Sequence, residues 1–404
     1  MTISGKVPSV AVGPGAGAGV AGVTTGLSVY IHVPFCAVRC GYCDFNTYTA
    51  KDLGGGGSRA EYADHACREM DLVHADDQQH GYEYSQVDTV FFGGGTPTLL
   101  PASDLVQMLD HLRTLIPLAP DAEVSIEANP DSVTADTLRE LADGGVTRVS
   151  FGMQSAVPRV LATLDRTHDP ARIPRVVQWA RDVGLQVSLD LIYGTPGERI
   201  EDVETSVRAA LACEPDHVSA YSLIIEGNTA MARQLRRGEI TPVDSDLMAD
   251  EYDLIDALLA EAGYTWYEVS NWSQSRQTRC RHNLAYWHGA DWWGIGPGAH
   301  RHRDGMRAWN LKHPSRYAHA VTRGVLPQDG QEILTAEDRR VERIMLELRT
   351  VDGLDIDAVA AERRSALHVH ANRGLLDPAQ LAQGKAVLTP AGRLLADQVI
   401  RDLT

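Results

Sequence analysis

The chain has 404 residues, of which 44% are hydrophobic and 23% charged, and its formal net charge is −17. This length suits one large domain with one or two smaller ones, and the composition is that of an ordinary globular protein. The strong negative charge disfavours broad electrostatic binding to nucleic acid or to an anionic lipid surface. No apolar run reaches the length that spans a bilayer.

Residues 1–26 predict a flexible tail. They are rich in Gly, Ala and Val and include Pro8 and Pro14, without the charged start and solid apolar core of a signal peptide. Six cysteines in 404 residues are too sparse for a disulfide framework. Free thiols fit a reducing compartment, so we expect a cytoplasmic protein.

Residues 27–243 alternate between short apolar runs and helical patterns. Strands are predicted at Leu27–Val33, Val87–Phe92, Glu123–Ala128, Val146–Phe151, Leu185–Ile192 and His217–Leu223. Helices are predicted near 59–75, 102–116, 134–143, 171–183 and 200–212. Strands separated by helices form right-handed βαβ units. The predicted α/β fold is therefore a partial (β/α)6 barrel, with its chemistry at the C-terminal ends of the strands.

Two further regions follow this barrel. Residues 244–335 begin with an acidic amphipathic helix and continue as an aromatic-rich, β-containing extension. Residues 336–404 predict a small C-terminal helical domain of winged-helix type. A wing can bind DNA, but the acidic charge favours a packing or partner role and argues against a nucleic-acid partner.

Three cysteines form the pattern C-x3-C-x2-C directly after the first strand: Cys36, Cys40 and Cys43. Three thiolates in eight residues can hold three irons of a [4Fe–4S] cluster, which leaves the fourth iron open to a small molecule. A structural zinc site is the alternative, but zinc prefers four closed ligands, often from two cysteine pairs, and the second pair is absent.

A glycine-rich turn follows the second strand. The run Phe91-Phe-Gly-Gly-Gly-Thr-Pro-Thr98 lets a ligand approach the backbone closely, and its N–H groups can cradle an anion or the end of an amino acid. Taken alone, such a run is as readily a tight turn. Next to the cysteine loop it indicates a ligand site.

Together these motifs resemble a radical S-adenosylmethionine (SAM) protein of the oxygen-independent coproporphyrinogen III oxidase family. The resemblance covers nearly the whole chain from Leu27 onward. It implies that the amino and carboxylate groups of SAM chelate the open iron. An electron from the cluster would then cleave the sulfonium to methionine and a 5′-deoxyadenosyl radical, while the protein orients the cofactor and excludes water.

The resemblance also implies a set of SAM-binding residues. They are Tyr30, Tyr42, Gly94, Gly95, Thr96, Glu127, Gln154, Arg166 and Asp190. Arg166 can pair with a carboxylate through two parallel hydrogen bonds, and Glu127 or Asp190 can accept from the ribose or the amine. One such carboxylate alone would more readily be an ion pair or a helix cap. Polar residues at successive strand ends favour the SAM site.

One position departs from the oxidases. They carry a fourth cysteine two residues after the third, and here that position is Phe45. The chain instead resembles the sister group of heme chaperones, HemW, whose motif ends in Phe and which carry His-Asn-x-x-Tyr-Trp, present here as His282–Trp287. This second resemblance implies a protein that binds heme, delivers it to respiratory proteins and does not decarboxylate coproporphyrinogen.

His282 is accordingly predicted as a heme ligand, since imidazole is a standard axial ligand of heme iron. From the residues alone, a hydrogen-bonded structural histidine is the better interpretation. His288, His300 and His302 are rival ligands, and Cys280 is either a thiolate ligand or a buried inert thiol. Four aromatic residues are candidates for packing on the macrocycle, although such clusters are more often core. They are Tyr286, Trp287, Trp292 and Trp293.

The leading hypothesis is a heme chaperone that holds one [4Fe–4S] cluster with exchangeable SAM and passes heme to a respiratory acceptor protein. The alternatives are an oxygen-independent coproporphyrinogen III oxidase in porphyrin biosynthesis and a radical SAM enzyme for another substrate such as a tRNA base. We expect no coproporphyrinogen oxidase activity and no catalytic residue of that reaction. An electron donor is expected, while a homodimer and transient membrane association stay open.

Overall fold

The computed structural model describes residues 23, 24 and 26–404, so the predicted tail lies almost wholly outside the described residues. The strands are β1 Val23–Thr24, β2 Leu27–Val33, β3 Glu83–Tyr84, β4 Val87–Gly94, β5 Leu118–Ala128, β6 Arg148–Gln154, β7 Gln186–Tyr193, β8 His217–Ser222, β9 Thr265–Glu268, β10 Asn271–Ser273, β11 Trp292–Ile295, β12 His300–Arg303, β13 Met306–Asn310, β14 Gln328–Ile333, β15 Leu354–Asp355 and β16 Lys385–Ala386. The helices are α1 Tyr62–Gln79, α2 Ala102–Leu115, α3 Ala135–Asp143, α4 Pro158–Thr163, α5 Ile173–Asp182, α6 Ile200–Leu211, α7 Ala230–Arg236, α8 Ser245–Glu261, α9 Arg281–Trp287, α10 Pro314–Thr322, α11 Ala336–Glu347, α12 Arg364–Asn372, α13 Pro378–Ala382, α14 Pro390–Leu394 and α15 Ala396–Leu403.

Six parallel strands form the centre of a large sheet. Strands β2, β4, β5, β6, β7 and β8 are neighbours in that order, each separated from the next by at least one helix. This is the arrangement that βαβ units impose. Each crossover helix carries the chain back to the end of the sheet where the previous strand began, so the next strand runs parallel to it. The predicted partial (β/α)6 barrel is confirmed, and its strand predictions fall on the observed strands within a few residues.

The aromatic-rich region extends both edges of this sheet. On one side β11 pairs parallel to β2, and β12, β13 and β14 continue antiparallel beyond it. On the other side β10 and β9 add antiparallel to β8. The result is a sheet of 12 strands. Strand β11 is a seventh parallel strand that the sequence analysis did not predict.

The strands alternate between a core face and an interior face. In β2, Val29 and Ile31 are fully buried in the hydrophobic core that also includes Met70 of α1. Tyr30, between them, faces the other way and lines an interior cavity. The period of two along a strand thus separates packing residues from site residues. Among the described helices, none is long and apolar enough to cross a membrane.

The C-terminal residues form a second core of their own. Helices α11 to α15 pack around buried residues such as Ile344, Leu376 and Val399, next to the short antiparallel pair β15–β16. This helical region docks on the extension, where Val351 N donates to Tyr267 O at 2.8 Å. The predicted small helical domain therefore matches the observed elements, with a single two-stranded pair in the place of a wing.

Candidate functional site

A cavity of about 800 Å³ lies inside the barrel, at the C-terminal ends of the parallel strands and reaching down to α9. Every predicted site residue lines it. They are Tyr30, Cys36, Cys40, Tyr42, Cys43, Gly94, Gly95, Thr96, Glu127, Gln154, Arg166, Asp190 and His282. The sequence motifs, which span some 250 residues of chain, therefore converge on one space.

Two side chains hold the cysteine loop to the extension, and one of them is Tyr48, whose Oη donates to Lys312 O at 3.3 Å. Asn46 Nδ2 donates to Pro297 O at 2.9 Å and to Lys312 O at 2.8 Å. The start of the loop is fixed by Cys36 N, which donates to Tyr48 O at 2.9 Å. Phe45, at the position of the oxidases' fourth cysteine, is 58% exposed at the mouth of the cavity.

The three loop cysteines are free thiols whose chemistry suits a cluster. Burial, and then the nearby Cys43 and Cys40, raise the pKa of Cys36 to about 11, and burial raises the pKa of Cys43. Iron binding would lower these pKa values again, because the thiolate is the form that binds iron. Among the described residues no three His, Cys, Asp or Glu side chains converge on a single metal ion. A cubane needs no such convergence, since each thiolate binds a different iron.

Arg166 lies beside the cysteine loop. Its Nη1 donates to Cys40 Sγ at 3.6 Å, and its Nη2 donates to Gly152 O at 2.9 Å. Its Nε is buried without a hydrogen-bond partner among the described residues. A guanidinium with a spare N–H next to a cluster cysteine is suited to a carboxylate bound at the open iron.

The glycine turn brings backbone close to its neighbours. A Cβ on Gly94, whose φ is +108°, would lie 2.5 Å from the His32 ring, and one on Gly95 would lie 2.5 Å from Phe35 O. Only glycine fits there. Gly94 N donates to Glu127 Oε2 at 3.0 Å. Burial, and then the charge of Asp190, raise the pKa of Glu127 to about 8, so this carboxyl is mostly protonated at neutral pH.

Gln154 and Asp190 complete this wall of the cavity. Gln154 has a φ of +61°, a strained value for a residue with a side chain, and it follows an irregularity in the pairing of β6 with β7. Strain of this kind concentrates at functional sites. Asp190 accepts from Ser150 Oγ at 2.8 and 2.9 Å, and burial raises its pKa.

His282 faces the cavity from α9, at the end opposite the cysteine loop. Thr89 donates its hydroxyl hydrogen to Ser28 Oγ at 2.9 Å and lies 2.7 Å from His282 Nδ1. Thr89 therefore accepts from Nδ1–H, which assigns the lone pair to Nε2. That nitrogen accepts from Tyr286 Oη at 3.0 Å. Burial lowers the pKa of His282 to about 3, so its ring is neutral.

Helix α9 closes the lower end of the barrel. The buried carboxylate of Glu123 accepts from Arg281 N at 2.9 Å and His282 N at 3.1 Å, which stabilises the start of the helix. Cys280 donates its thiol to the same carboxylate at 3.5 Å, and burial raises its pKa. Cys280 is thus a buried thiol that donates a hydrogen bond and also lines the cavity.

The other polar residues of His282–Trp287 also have protein partners. Asn283 and Trp287 donate to the buried carboxylate of Glu268. The motif therefore also has a structural part, since it fixes α9 to the sheet on two sides.

The rival ligands lie elsewhere. His302 stacks on Trp292 with ring centroids 5.0 Å apart, His288 faces Asp352, and His300 is exposed. None of these three histidines lines the cavity. Of the four aromatic residues proposed to pack on a macrocycle, Tyr286 alone lines it, and Trp293 instead donates to Asp77 at 2.7 Å in the core.

Sequence reasoning missed a polar layer deep in the cavity. It consists of Ser125, Arg148, Ser150, Ser188, His217 and Ser219. These residues alternate with apolar ones along β5 to β8, as in Arg148-Val-Ser and His217-Val-Ser. That alternation is visible in the sequence and predicts a polar barrel interior.

Comparison with known proteins places the chain in a family. The radical SAM superfamily profile matches residues 30–210. The chain is 48% identical over 377 residues to a heme chaperone HemW from Mycobacterium tuberculosis, which covers 93% of this chain and 94% of the relative. It is 31% identical over 382 residues to HemW from Bacillus subtilis, with 92% and 97% covered. The chain belongs to the HemW family.

A solved structure supports the fold of this HemW-family protein. Coproporphyrinogen III oxidase (HemN) from Escherichia coli matches it with a TM-score of 0.78 at 23% identity, over 94% of this chain and 90% of that one. Identity at this level supports the architecture alone. The predicted relationship, a radical SAM protein of the oxidase-like group on the HemW side, is confirmed.

Proposed function

We propose that this HemW-family protein is a heme chaperone that holds one [4Fe–4S] cluster, binds SAM exchangeably and passes heme to an acceptor protein. The observation that carries this proposal is that one cavity is lined by the cysteine loop at one end and by His282 at the other. The relatives named heme chaperone support the cargo. The acceptor is a respiratory heme protein, and an electron donor serves the cluster.

The cavity residues divide the work. Cys36, Cys40 and Cys43 would hold the cluster, which when bound supplies an open iron for SAM. Arg166, next to Cys40, would bind the methionyl carboxylate, and Glu127, beside the glycine turn, would accept from SAM. Tyr30, Tyr42, Gln154 and Asp190 would enclose the rest of the molecule, in keeping with a bound cofactor that is protected from water.

Heme would be held by His282. Its neutral ring carries the ligating lone pair on Nε2, and Thr89 fixes the ring orientation from the other side, as outer partners of metal-bound histidines commonly do. In the structure the hydroxyl group of Tyr286 donates a hydrogen bond to this lone pair. Heme binding therefore requires the Tyr286 hydroxyl to move aside.

Anaerobic reconstitution tests the proposal. Protein is loaded with iron and sulfide, titrated with heme, and read by absorbance with and without SAM. We expect a broad iron–sulfur band and a separate Soret band, and heme should move from the loaded protein to a heme-free respiratory cytochrome. Decarboxylation of coproporphyrinogen III by the cluster-loaded protein would instead support the oxidase, which Phe45 argues against.

Two variants separate the two sites. Cys40→Ser removes one cluster ligand, so the iron–sulfur absorbance should vanish while heme binding persists. His282→Ala removes the proposed axial ligand, so the Soret band should shift and weaken by about tenfold in affinity while the cluster survives. Equal loss of both signals in both variants, with an altered circular dichroism spectrum, would show misfolding and not two sites.

A further inference from the structure

One buried cation in the cavity has an N–H group without a hydrogen-bond partner among the described residues. Arg148, at the start of β6, is 3% exposed, and its Nη1 donates to Thr278 O at 2.9 Å. Nη1 also lies 3.5 Å from the neutral Gln186 Oε1, and Nη2 has no hydrogen-bond partner among the described residues. A buried charge left in this state is costly unless an anion completes it.

A second unpartnered donor lies next to it. Ser125 on β5 is opposite Arg148 in the register of the two strands and is 2% exposed. Its hydroxyl also lacks a partner among the described residues, and both side chains line the cavity. The charge of Arg148 also acts on Asp190, but the carboxylate of Asp190 already accepts from Ser150 at 2.8 and 2.9 Å. Two free donors on adjacent strands can bind the two oxygens of one carboxylate.

Arg148 and Arg166 are anchored at different depths of the cavity. Arg166 contacts Gly152 O, which is four residues, about 13 Å, further along the same strand than Arg148. Arg148 is instead on the α9 side, since it binds the carbonyl of Thr278 just before that helix. Ser125 is paired with Phe91, whose ring stacks on His282 at 5.2 Å.

We propose that Arg148 and Ser125 form a carboxylate subsite that anchors a propionate of the bound tetrapyrrole. This proposal rests on the proposed heme function. The subsite would bind heme through a propionate, in addition to the bond between His282 and the iron. It would therefore select macrocycles that carry free propionates. The methionyl carboxylate of SAM is the other source of the same chemistry, so the experiment measures both ligands.

The experiment titrates the full, anaerobically reconstituted protein with heme and with heme dimethyl ester, whose propionates are neutral. The wild type should bind heme about tenfold tighter than the ester, the range of one charge-assisted pair. Arg148→Gln should bind both alike, at the affinity of the ester. Arg148→Lys should restore part of the preference, and Ser125→Ala should lose a smaller part without touching the Thr278 contact. SAM affinity by equilibrium dialysis should be unchanged in all of them.

Arg279→Gln is the matched control, because Arg279 directly follows Thr278, whose carbonyl accepts from Arg148, but does not line the cavity. Its preference for heme over the ester should equal that of the wild type. Retained preference in Arg148→Gln and Ser125→Ala overturns the subsite while the heme function stands. Weaker SAM binding with unchanged heme preference assigns the pair to SAM and also overturns it. A wild type that binds neither macrocycle overturns the proposed function itself.

Discussion

At the scale of single residues, the hydrogen bonds of His282 bear on the proposed binding of heme. The hydrogen-bond chain Ser28–Thr89–His282–Tyr286 puts the proton on Nδ1 and the lone pair on Nε2. The ring is therefore already in the tautomer and charge state that a metal requires. The hydroxyl group of Tyr286, which donates to Nε2, would have to move before an iron could bind there.

Tyr286→Phe removes that hydroxyl group. We expect heme affinity to rise by about fivefold, because the hydrogen bond that heme must break is worth about 1 kcal/mol. Heme titration followed at the Soret band measures this. Tyr221→Phe, another tyrosine on the cavity wall, is the control and should leave affinity unchanged. Unchanged affinity in Tyr286→Phe would mean that His282 is not the ligand.

Glu127 predicts a pH dependence of stability. The pKa of Glu127 in the folded protein is raised to about 8, so the fold favours its protonated form. The contribution of this group to the free energy of unfolding is complete below the ordinary pKa of 4.5 and is lost as pH rises through 8. Glu127→Gln should thus be more stable than the wild type at pH 8, by about 2 kcal/mol after discounting for the open cavity, and nearly equal at pH 5. Urea unfolding of ligand-free protein at both pH values measures this. The exposed Glu239→Gln should show no such gain.

At the scale of elements, the cysteine loop depends on the extension for its position. Asn46→Ala removes two hydrogen bonds to carbonyls of residues 297 and 312, a loss of about 1–2 kcal/mol in loop anchoring. The cluster should still assemble but be lost several-fold faster to a chelator, as followed by iron–sulfur absorbance. Thr49→Ala, an exposed change in the same loop, should match the wild type. Equal rates of cluster loss in Asn46→Ala and the wild type would show that the loop keeps its position without Asn46.

The sequence predicts the parallel strands and the convergence of the site motifs on one cavity, for a physical reason. Apolar strand patterns and the spacing of Cys36, Cys40 and Cys43 are local, and the rule that sites form at strand ends brings them together. The attachment of β11 beside β2 is not local, because nothing in the run Trp292–Ile295 specifies its partner. The occupancy of His282 by Tyr286 depends likewise on how α9 packs, which spacing does not specify.

At the scale of the whole molecule, the C-terminal helices are a separate packing unit on the outside of the sheet. Arg393 joins them to the rest, with its guanidinium 3.9 Å from the ring centroid of Trp266 and its Nη1 3.3 Å from Asp256. Its two contacts link α14 to β9 and α8.

Arg393→Ala should lower the stability of this attachment by about 1–2 kcal/mol, because a partly buried cation–π contact and an ion pair are both lost. Calorimetry should show the C-terminal core melting earlier, while cluster absorbance and heme affinity stay unchanged. Arg401→Ala, an exposed change in α15, is the control. A parallel loss of cluster would mean that the two units fold as one.

Closure of the barrel floor by α9 has a kinetic consequence. If cargo arrives and leaves through the same mouth, beside Val38, Phe45 and Ile224, whatever widens or narrows that mouth changes association and dissociation by the same factor. The equilibrium then stays fixed while the residence time changes. A partner protein that binds at this mouth and widens it can speed up the release of heme without competing for the bound molecule. The direction of transfer is then set by which of the two proteins binds heme more tightly.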